Sequence, residues 1–384
     1  MKGMAVVALA VSALVGCIAC SGCKSLEFVP VDYTPQTGGD WEVSTPAAEG
    51  LDPTLVDVFY SEATYLPTLY GLLVVKNGKL IAEKYFNEGS IGQLSGRQST
   101  TKSFTSACVG LAFQEGYLSS VDQKMMDFFP EYADSITDPR KNDITIRHLL
   151  QMRGGYPDEE RESNYLRRLF YEQPWPPRMV QHLADFPLSS DPGAQFRYSN
   201  LSSHLLAVIV ARACSAHLDS FAQKHLFGPM GAELGEWGRD ADGYNIGCIE
   251  IYVRARDMAK FGLMYLNDGE FRGTRLLPAE WVEASLQRYS EGINRSGWFP
   301  WESKYANFSD VGYGYQWWSS RAGDHWFDYA AGHGGNLVVL LDDHDMVIVT
   351  TADPLYDAPA GEGWEYEGAI VSTVGRFIKS LPGE

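Results

Sequence analysis

The sequence predicts an α+β fold, in which an antiparallel sheet built from both chain ends is flanked by helices and a mainly helical subdomain is inserted. Short apolar runs separated by turn residues, the pattern of antiparallel strands, occur near residue 75 and again after residue 310. Between about 120 and 260 the apolar residues recur at helical spacing instead. Strands at both ends of a helical middle favour a single sheet that the two chain ends complete.

The chain length and the net charge restrict the classes of function that the protein can have. The chain has 384 residues, 45% of them hydrophobic, and a net charge of -18. It is long enough for one large domain or two moderate ones with a sizeable core. A nucleic-acid-binding protein presents a basic face, so nucleic acid is not expected as a partner. The sequence does not predict an oligomeric state.

The first 23 residues are typical of a signal peptide. Lys2 is followed by an apolar run at 4–15, which is too short to span a membrane. The run ends in Leu-Val-Gly-Cys17, which resembles the lipobox of bacterial lipoproteins. The resemblance implies lipidation of Cys17 and a place in the cell envelope, anchored to a bacterial membrane and facing the periplasm or the exterior. The Pro-, Thr- and Gly-containing stretch at 24–45 is predicted to be a tether to a domain at 46–384.

The cysteines predict neither a metal site nor a disulfide. Cys17, Cys20 and Cys23 have a spacing seen in metal clusters, but they lie in and beside the leader. The three later cysteines are too far apart to define a disulfide framework, and Cys108 is expected to be a buried packing residue.

The secondary-structure elements follow in order. Residues 53–66 are predicted to be helical, and an Asn-Gly pair between the apolar runs 72–75 and 80–82 predicts a β-hairpin. Further helices are predicted to start near Thr145, Asn200, Asp257 and Pro278. Apolar runs at 337–341 and 346–350 predict a second hairpin, and 367–381 a closing helix.

A serine and a lysine stand three residues apart where a buried helix is predicted to begin. Ser99 and Lys102 would share one helix face, and the residues at 104–117 behind them are mostly small or apolar. A hydroxyl beside a desolvated amine is one way to activate a serine. Ser99 as a helix cap and Lys102 as a solvated residue remain an alternative, because a second Ser-x-x-Lys begins at Ser21 in the leader.

The chemistry needs a second proton carrier, since a lysine amine in water, with a pKa of about 10.4, is a poor base. Tyr-x-Asn occurs four times, and the copy at Tyr198 and Asn200 follows a Pro-Gly turn just before a predicted helix. An ordinary loop tyrosine is the alternative.

A glycine-rich segment precedes the apolar run at 337–341 and consists of His333, Gly334, Gly335 and Asn336. Glycines there allow a backbone to approach a ligand closely, and a strand passing Ser99 could offer an N–H group to an oxyanion. A simple turn with an exposed histidine is the alternative.

Together these motifs resemble, in order and spacing, the serine β-lactamase and penicillin-binding protein superfamily. The likeness is greatest to its class C-like branch, which includes esterases, D-aminopeptidases and 6-aminohexanoate-dimer hydrolases. The segments 144–150, 257–262, 277–282 and 312–318 are also similar to that branch, so the resemblance covers roughly 45–384.

The resemblance implies a role for each motif. Ser99 would be the nucleophile, Lys102 the general base and Tyr198 the proton carrier, while Asn200 would position Lys102 and the substrate. The backbone N–H groups of Ser99 and Asn336 would form the oxyanion hole. His333, in the segment with Gly334 and Gly335, would shape the leaving-group side. No metal or organic cofactor is implied.

The chain departs from the β-lactamases of that superfamily in two places. It has no Lys-Thr-Gly, whose cation helps to hold a substrate carboxylate, and Arg153-Gly154-Gly155 stands where many relatives have a Ser-Gly turn. The sequence also lacks Gly-x-Ser-x-Gly and His-Glu-x-x-His, so an α/β-hydrolase nucleophile elbow and a zinc protease motif are excluded.

We therefore expect a serine hydrolase that forms an acyl-enzyme with a small ester or amide. A D,D-carboxypeptidase or β-lactamase and a non-catalytic cell-wall or β-lactam-binding module are the alternatives. The segments 155–190 and 286–312, rich in aromatic residues and arginine, are the candidate pocket walls.

Overall fold

The computed structural model describes residues 27–159, 161–293, 307–356 and 363–383. Within them a seven-stranded antiparallel sheet has the order β2-β1-β12-β11-β10-β9-β8. Its strands are β1 (Leu69–Lys76), β2 (Lys79–Tyr85), β8 (Ser309–Tyr313), β9 (Trp318–Ala322), β10 (His325–Gly332), β11 (Asn336–Leu341) and β12 (Met346–Ala352). Two early strands and five late ones share one sheet, which confirms the predicted α+β class.

Both predicted hairpins are present. The Asn77-Gly78 turn between β1 and β2 has positive φ angles of 51° and 74°, as a type I′ turn requires. The short turn Asp342–His344 joins β11 to β12.

Helices occupy the middle of the chain and both outer faces of the sheet. They are α1 (Pro53–Ala63), α2 (Thr101–Gln114), α3 (Ile146–Leu150), α4 (Ser163–Phe170), α5 (His182–Asp185), α6 (Asn200–Cys214), α7 (Leu218–Ala222), α8 (Ala255–Leu266), α9 (Ala279–Leu286) and α10 (Gly363–Ser380). The remaining strands are β3 (Ser95–Gly96), β4 (Leu234–Trp237) and β5 (Ile251–Val253) in one small sheet, and β6 (Glu270–Phe271) and β7 (Thr274–Arg275) in another.

The predicted helix starts agree with the structure to within a few residues. The Thr145 side chain accepts a hydrogen bond from the His148 N–H and caps α3. Ser199 caps α6, one residue before the predicted start. Cys108 is buried on α2 as predicted, and Cys108, Cys214 and Cys248 are free thiols.

Alternating side chains give the sheet two hydrophobic cores. On β11, Val338 and Leu340 pack into the core that contains α2, α6 and α8. Leu337 and Val339 point the other way, into the core that contains α1 and α10. This period of two is the strand pattern, and full burial stabilises each such side chain by roughly 1.5–3 kcal/mol.

The predicted tether is part of the domain from residue 27 onward, which corrects the expectation for 24–45. The Leu80 N–H donates to the Glu42 carbonyl, and the Glu83 N–H donates to the Tyr33 carbonyl, so this segment runs along β2. Trp41 is buried. The Pro- and Gly-rich composition did not indicate this contact, because an edge strand binds a neighbour through its backbone.

Among the described residues, no single helix is long and apolar enough to cross a membrane. Only α6 together with residues 218–227 meets the length and composition criteria, as a pair bent by 75°. Cys17 and the predicted signal peptide lie outside the described residues.

Candidate active site

Ser99 lies in a tight turn immediately before α2. The preceding Gln98 has a φ of 48°, a left-handed conformation that is uncommon for residues other than glycine and is often found at functional sites. The Thr101 hydroxyl donates to the Gln98 carbonyl at 2.6 Å. Ser99 thereby reaches the wall of a cavity of about 480 Å³ at the end of the main sheet.

Lys102 lies one turn further into the helix and is buried. Its Nζ is 2.9 Å from Ser99 Oγ, 2.8 Å from Asn200 Oδ1 and 3.0 Å from the Cys248 carbonyl oxygen. The two carbonyl-type oxygens can only accept hydrogen bonds. A neutral amine has two N–H groups for them and one lone pair, which can face the Ser99 hydroxyl. This geometry suits an amine that takes up the serine proton.

Tyr198 lies in the loop before α6, and Asn200 is the first residue of that helix. The Lys102 Nζ lies 4.9 Å from the centre of the Tyr198 ring. The Tyr198 ring stacks on Trp318 with 5.7 Å between their centres, so β9 fixes its orientation. Ser99, Tyr198 and Asn200 all line the cavity. The structure thus brings four of the predicted site residues together.

A buried carboxylate, Glu159, holds the start of α6 in place. It accepts hydrogen bonds from the Ser199 hydroxyl at 2.9 Å, the Asn200 N–H at 2.9 Å and the Leu201 N–H at 3.0 Å. Helix N-termini favour such an acceptor. Burial raises the pKa of Glu159 to about 7, although these hydrogen bonds lower it. Glu159 belongs to none of the predicted motifs, because it lies about 40 residues from its partners in sequence.

Strand β10 passes very close to the Ser99 turn. A Cβ atom on Gly332 would lie 2.2 Å from the Arg97 carbonyl oxygen and 3.1 Å from the Thr100 nitrogen. Only glycine fits at this distance. The next residue, His333, lines the same cavity as Ser99.

Asn336 does not line this cavity, so the expectation that its N–H serves an oxyanion does not fit its position. Asn336 is fully buried at the start of β11, where its Nδ2 donates to the His333 carbonyl at 2.9 Å. Its Oδ1 accepts from the Ala352 N–H and from Arg97 Nη1, both at 3.2 Å. These contacts assign Asn336 a part in holding the hairpin.

Glu367 of α10 fixes the glycine-rich turn. Its Oε2 lies 2.8 Å from His333 Nδ1 and accepts from the Gly334 N–H at 3.0 Å. Gly334 and Gly335 have positive φ angles of 85° and 93°, which favour glycine. Residues 333–335 form the turn between β10 and β11. The turn was predicted from the sequence, whereas Glu367, which follows His333 by 34 residues, was not.

Aromatic side chains and acids dominate the cavity wall. Its aromatic residues include Tyr70, Phe170, Tyr171, Trp175, Tyr252 and Trp318. Three of them come from the predicted wall segment 155–190, whereas the described part of 286–312 borders a different cavity.

The charges of the cavity wall are mainly negative. Glu250, Asp353 and Glu367 line it, and none of the lining residues that the structure describes is lysine or arginine. Burial raises the pKa of Glu250, which has a φ of 71°. No cation of a side chain is therefore in place among these residues to pair with a substrate carboxylate.

Comparisons with known proteins identify the family. The beta-lactamase family model matches residues 70–371. A candidate fimbrial assembly protein, FimD of serogroup H1 from Dichelobacter nodosus, is 34% identical over 128 residues, which are 33% of this chain and 31% of that protein. The chain thus matches about a third of the length of this curated relative.

Solved structures share the fold at low sequence identity. A candidate 6-aminohexanoate-dimer hydrolase from Bacillus anthracis is 20% identical with a TM-score of 0.60, covering 83% of this chain and 81% of that chain. EstCE1, a hydrolase with promiscuous acyltransferase activity, is 14% identical with a TM-score of 0.61, covering 83% and 98%. Since the family match extends over most of its length, the chain belongs to the beta-lactamase family, in the superfamily of serine hydrolases and penicillin-binding proteins.

Proposed function

We propose that the protein is a serine hydrolase that forms an acyl-enzyme on Ser99 with small esters or amides that carry no carboxylate. The observation that carries the proposal is the Lys102 amine, held by Asn200 and the Cys248 carbonyl and pointing at Ser99 Oγ. Because Ser99 lines the cavity, the hydroxyl that Lys102 contacts is accessible to a substrate.

The reaction proceeds in two steps. Ser99 Oγ attacks the substrate carbonyl carbon while its proton passes to the Lys102 amine. The tetrahedral intermediate then collapses and the bond to the leaving group breaks. Tyr198 delivers its hydroxyl proton to the departing oxygen or nitrogen and takes up the proton that Lys102 received from Ser99, so both residues regain their starting states. In the second step water attacks the ester, loses a proton through the same residues, and releases the acid and Ser99.

The oxyanion hole would consist of the backbone N–H groups of Ser99 and His333. The close approach of Gly332 to the Ser99 turn supports this assignment, because it brings the next peptide unit to the cavity wall. Two N–H donors aimed at the developing charge supply a large part of acyl-transfer catalysis. The His333 ring, held by Glu367, would face the leaving group.

The charge of the cavity supports neutral or cationic substrates. Glu250, Asp353 and Glu367 would repel a substrate carboxylate, whereas the aromatic wall favours an apolar acyl or leaving group. The same negative charges disfavour β-lactams and D-alanyl-D-alanine peptides, which carry a carboxylate.

Substrates that differ mainly in charge test the proposed preference for molecules without a carboxylate. We expect faster turnover of p-nitrophenyl butyrate than of the p-nitrophenyl ester of succinate, and slow turnover of nitrocefin. Intact-mass analysis should detect an acyl adduct that disappears in Ser99→Ala and persists in Ser119→Ala, an exposed serine outside the site. Rapid nitrocefin hydrolysis without esterase activity would identify a β-lactamase instead. Equal labelling of both variants by a serine-directed probe would support a non-catalytic module.

We further propose that Cys17 is lipidated and holds the protein at a bacterial membrane, facing the periplasm or exterior. Nine residues, 18–26, separate it from the described domain, so the domain would begin at most roughly 35 Å from the anchor. Labelled palmitate should be incorporated by the wild type and by Cys20→Ser but not by Cys17→Ser. Equal incorporation in Cys17→Ser would refute the assignment.

A further inference from the structure

A second cluster of chemically active side chains lies at the opposite end of β10 from the active site. His325 is the first residue of β10, while Gly332, beside Ser99, is its last. Eight strand residues separate the two ends by roughly 23 Å. Asp343 and His344 join His325 from the turn between β11 and β12. One ligand atom from each of the three residues lies within 4.8 Å of the other two.

We propose that His325, Asp343 and His344 bind a divalent transition-metal ion, with Zn²⁺ as the preferred occupant. Two imidazoles and one carboxylate are a frequent ligand set for zinc, which takes four ligands at about 2.0–2.2 Å. Tetrahedral coordination at such bond lengths separates the ligand atoms by roughly 3.4 Å. The observed separations of 2.7 Å between His325 Nδ1 and Asp343 Oδ2 and 4.0 Å between His344 Nε2 and Asp343 Oδ2 lie on either side of that value.

The hydrogen bonds of His325 point to a cation. Its Nε2 lies 3.2 Å from the Leu381 carbonyl oxygen, which can only accept, so Nε2 carries a proton. Its Nδ1 lies 2.7 Å from the Asp343 carboxylate, a second acceptor. In a singly protonated ring the Nδ1 lone pair would face the carboxylate and the two would repel each other. A cation bound by both Nδ1 and the carboxylate removes that repulsion.

The contact between His325 and the Leu381 carbonyl is also typical of a metal-binding histidine. Metal-binding histidines usually donate their other N–H group to a carbonyl or carboxylate, which fixes the ring. His325 is 3% exposed. The contact of Nε2 with Leu381 fixes its ring, while Nδ1 faces Asp343. The competing explanation is an imidazolium–carboxylate ion pair without metal, and the experiment must separate the two.

The surroundings allow a metal ion to enter. A cavity of about 530 Å³ borders the cluster, and its wall includes Asp324 and Asp342. Arg321 pairs with Asp324 at 3.0 Å, and Lys76 donates to the His344 carbonyl rather than to a carboxylate. Within the described part of the chain, Asp343 forms ion pairs only with the two histidines. No lysine or arginine in that part of the chain therefore competes with a metal ion for the Asp343 carboxylate, and water or Asp342 can supply the fourth ligand.

The site would have a structural role. The metal would join the β11–β12 turn to the start of β10, and through His325 to Leu381, which follows α10. An ion that binds the folded chain more tightly than the unfolded one stabilises it in proportion to its concentration.

Zinc counting in matched variants tests the proposal. The full chain is stripped with a chelator and dialysed against Zn²⁺, and bound zinc is measured by elemental mass spectrometry. The wild type should hold one more equivalent than His325→Gln or His344→Gln. His217→Gln, which removes an exposed histidine elsewhere, should match the wild type. Zinc bound by the leader cysteines cancels in this difference.

Thermal unfolding gives the second readout. The midpoint of the wild type and of His217→Gln should rise with Zn²⁺ concentration, whereas that of His344→Gln should stay constant. His344 is only partly buried, so this variant carries the test if His325→Gln does not fold. Equal zinc content in all variants, or no uptake by the wild type, would overturn the proposal and leave the ion pair as the explanation.

Discussion

Replacing Gly332 by alanine should disable the proposed oxyanion hole while leaving the side chains of the site in place. The added Cβ would lie 2.2 Å from the Arg97 carbonyl oxygen, whereas a carbon and a carbonyl oxygen normally stay roughly 3.3 Å apart. Strand β10 and the Ser99 turn must therefore separate by about 1 Å. A displacement of this size between reacting groups can cost about 100-fold in rate.

The consequence should appear in turnover more than in stability. We expect kcat/KM for p-nitrophenyl butyrate to fall about 100-fold, since one oxyanion donor contributes about that much. Overpacking should lower the free energy of unfolding by about 1–3 kcal/mol. Gly92→Ala is the matched control, because nothing lies within 4 Å of the position that its Cβ would take. Stopped-flow or plate assays and urea unfolding of both variants provide the comparison.

Retention of activity would refute this reasoning. If folded Gly332→Ala stays within about threefold of Gly92→Ala in kcat/KM, the strand does not supply an oxyanion donor at this position. A loss that follows the fraction of unfolded protein would point to packing alone.

Three further predictions concern buried groups. Because burial raises the pKa of Glu159 from 4.5 to about 7, the folded state retains a proton that the unfolded chain releases. The free energy of unfolding should therefore fall as pH rises from about 5 to 8, and Glu159→Gln should remove up to about 3 kcal/mol of that fall. Urea unfolding at each pH measures the difference. An identical pH profile for the variant and the wild type would contradict the prediction. Glu367→Gln should lower kcat/KM about tenfold by weakening the hydrogen bond to His333, while Glu280→Gln, on an exposed surface, should have no effect; equal rates would exclude a positioning role. Burial raises the pKa of the Cys248 thiol to about 12, so iodoacetamide should alkylate it only after denaturation, as peptide mass spectrometry would show; rapid native labelling would contradict this.

Short sequence patterns predicted the features of the fold and the site that depend on a few neighbouring residues. The spacing of Ser99 and Lys102 places both on one helical turn, and the apolar residues that follow require the helix to be buried. The apolar runs at 337–341 and 346–350 likewise predicted two strands of a hairpin. Each of these needs only the helical or strand period.

The parts that the sequence did not reveal depend on distant contacts or on exact register. Glu159 and Glu367 act on residues more than 30 positions away, and no motif spacing marks a carboxylate that caps a helix or fixes a turn from such a distance. The expected oxyanion donor at Asn336 is displaced from the cavity because β10 extends to Gly332 before the turn begins. A run of glycines does not show which of them ends the strand.

The order of strands in the main sheet also determines when an active site can exist during synthesis. β1, made early, pairs with β12, as in the register of Val74 with Ile348, so the sheet must wait for almost the whole chain. His333 and Glu367 emerge later than Ser99 by more than 230 residues. A nascent chain therefore carries the serine and lysine without the strand and turn that complete the proposed site, and the proposed hydrolysis is confined to the folded protein.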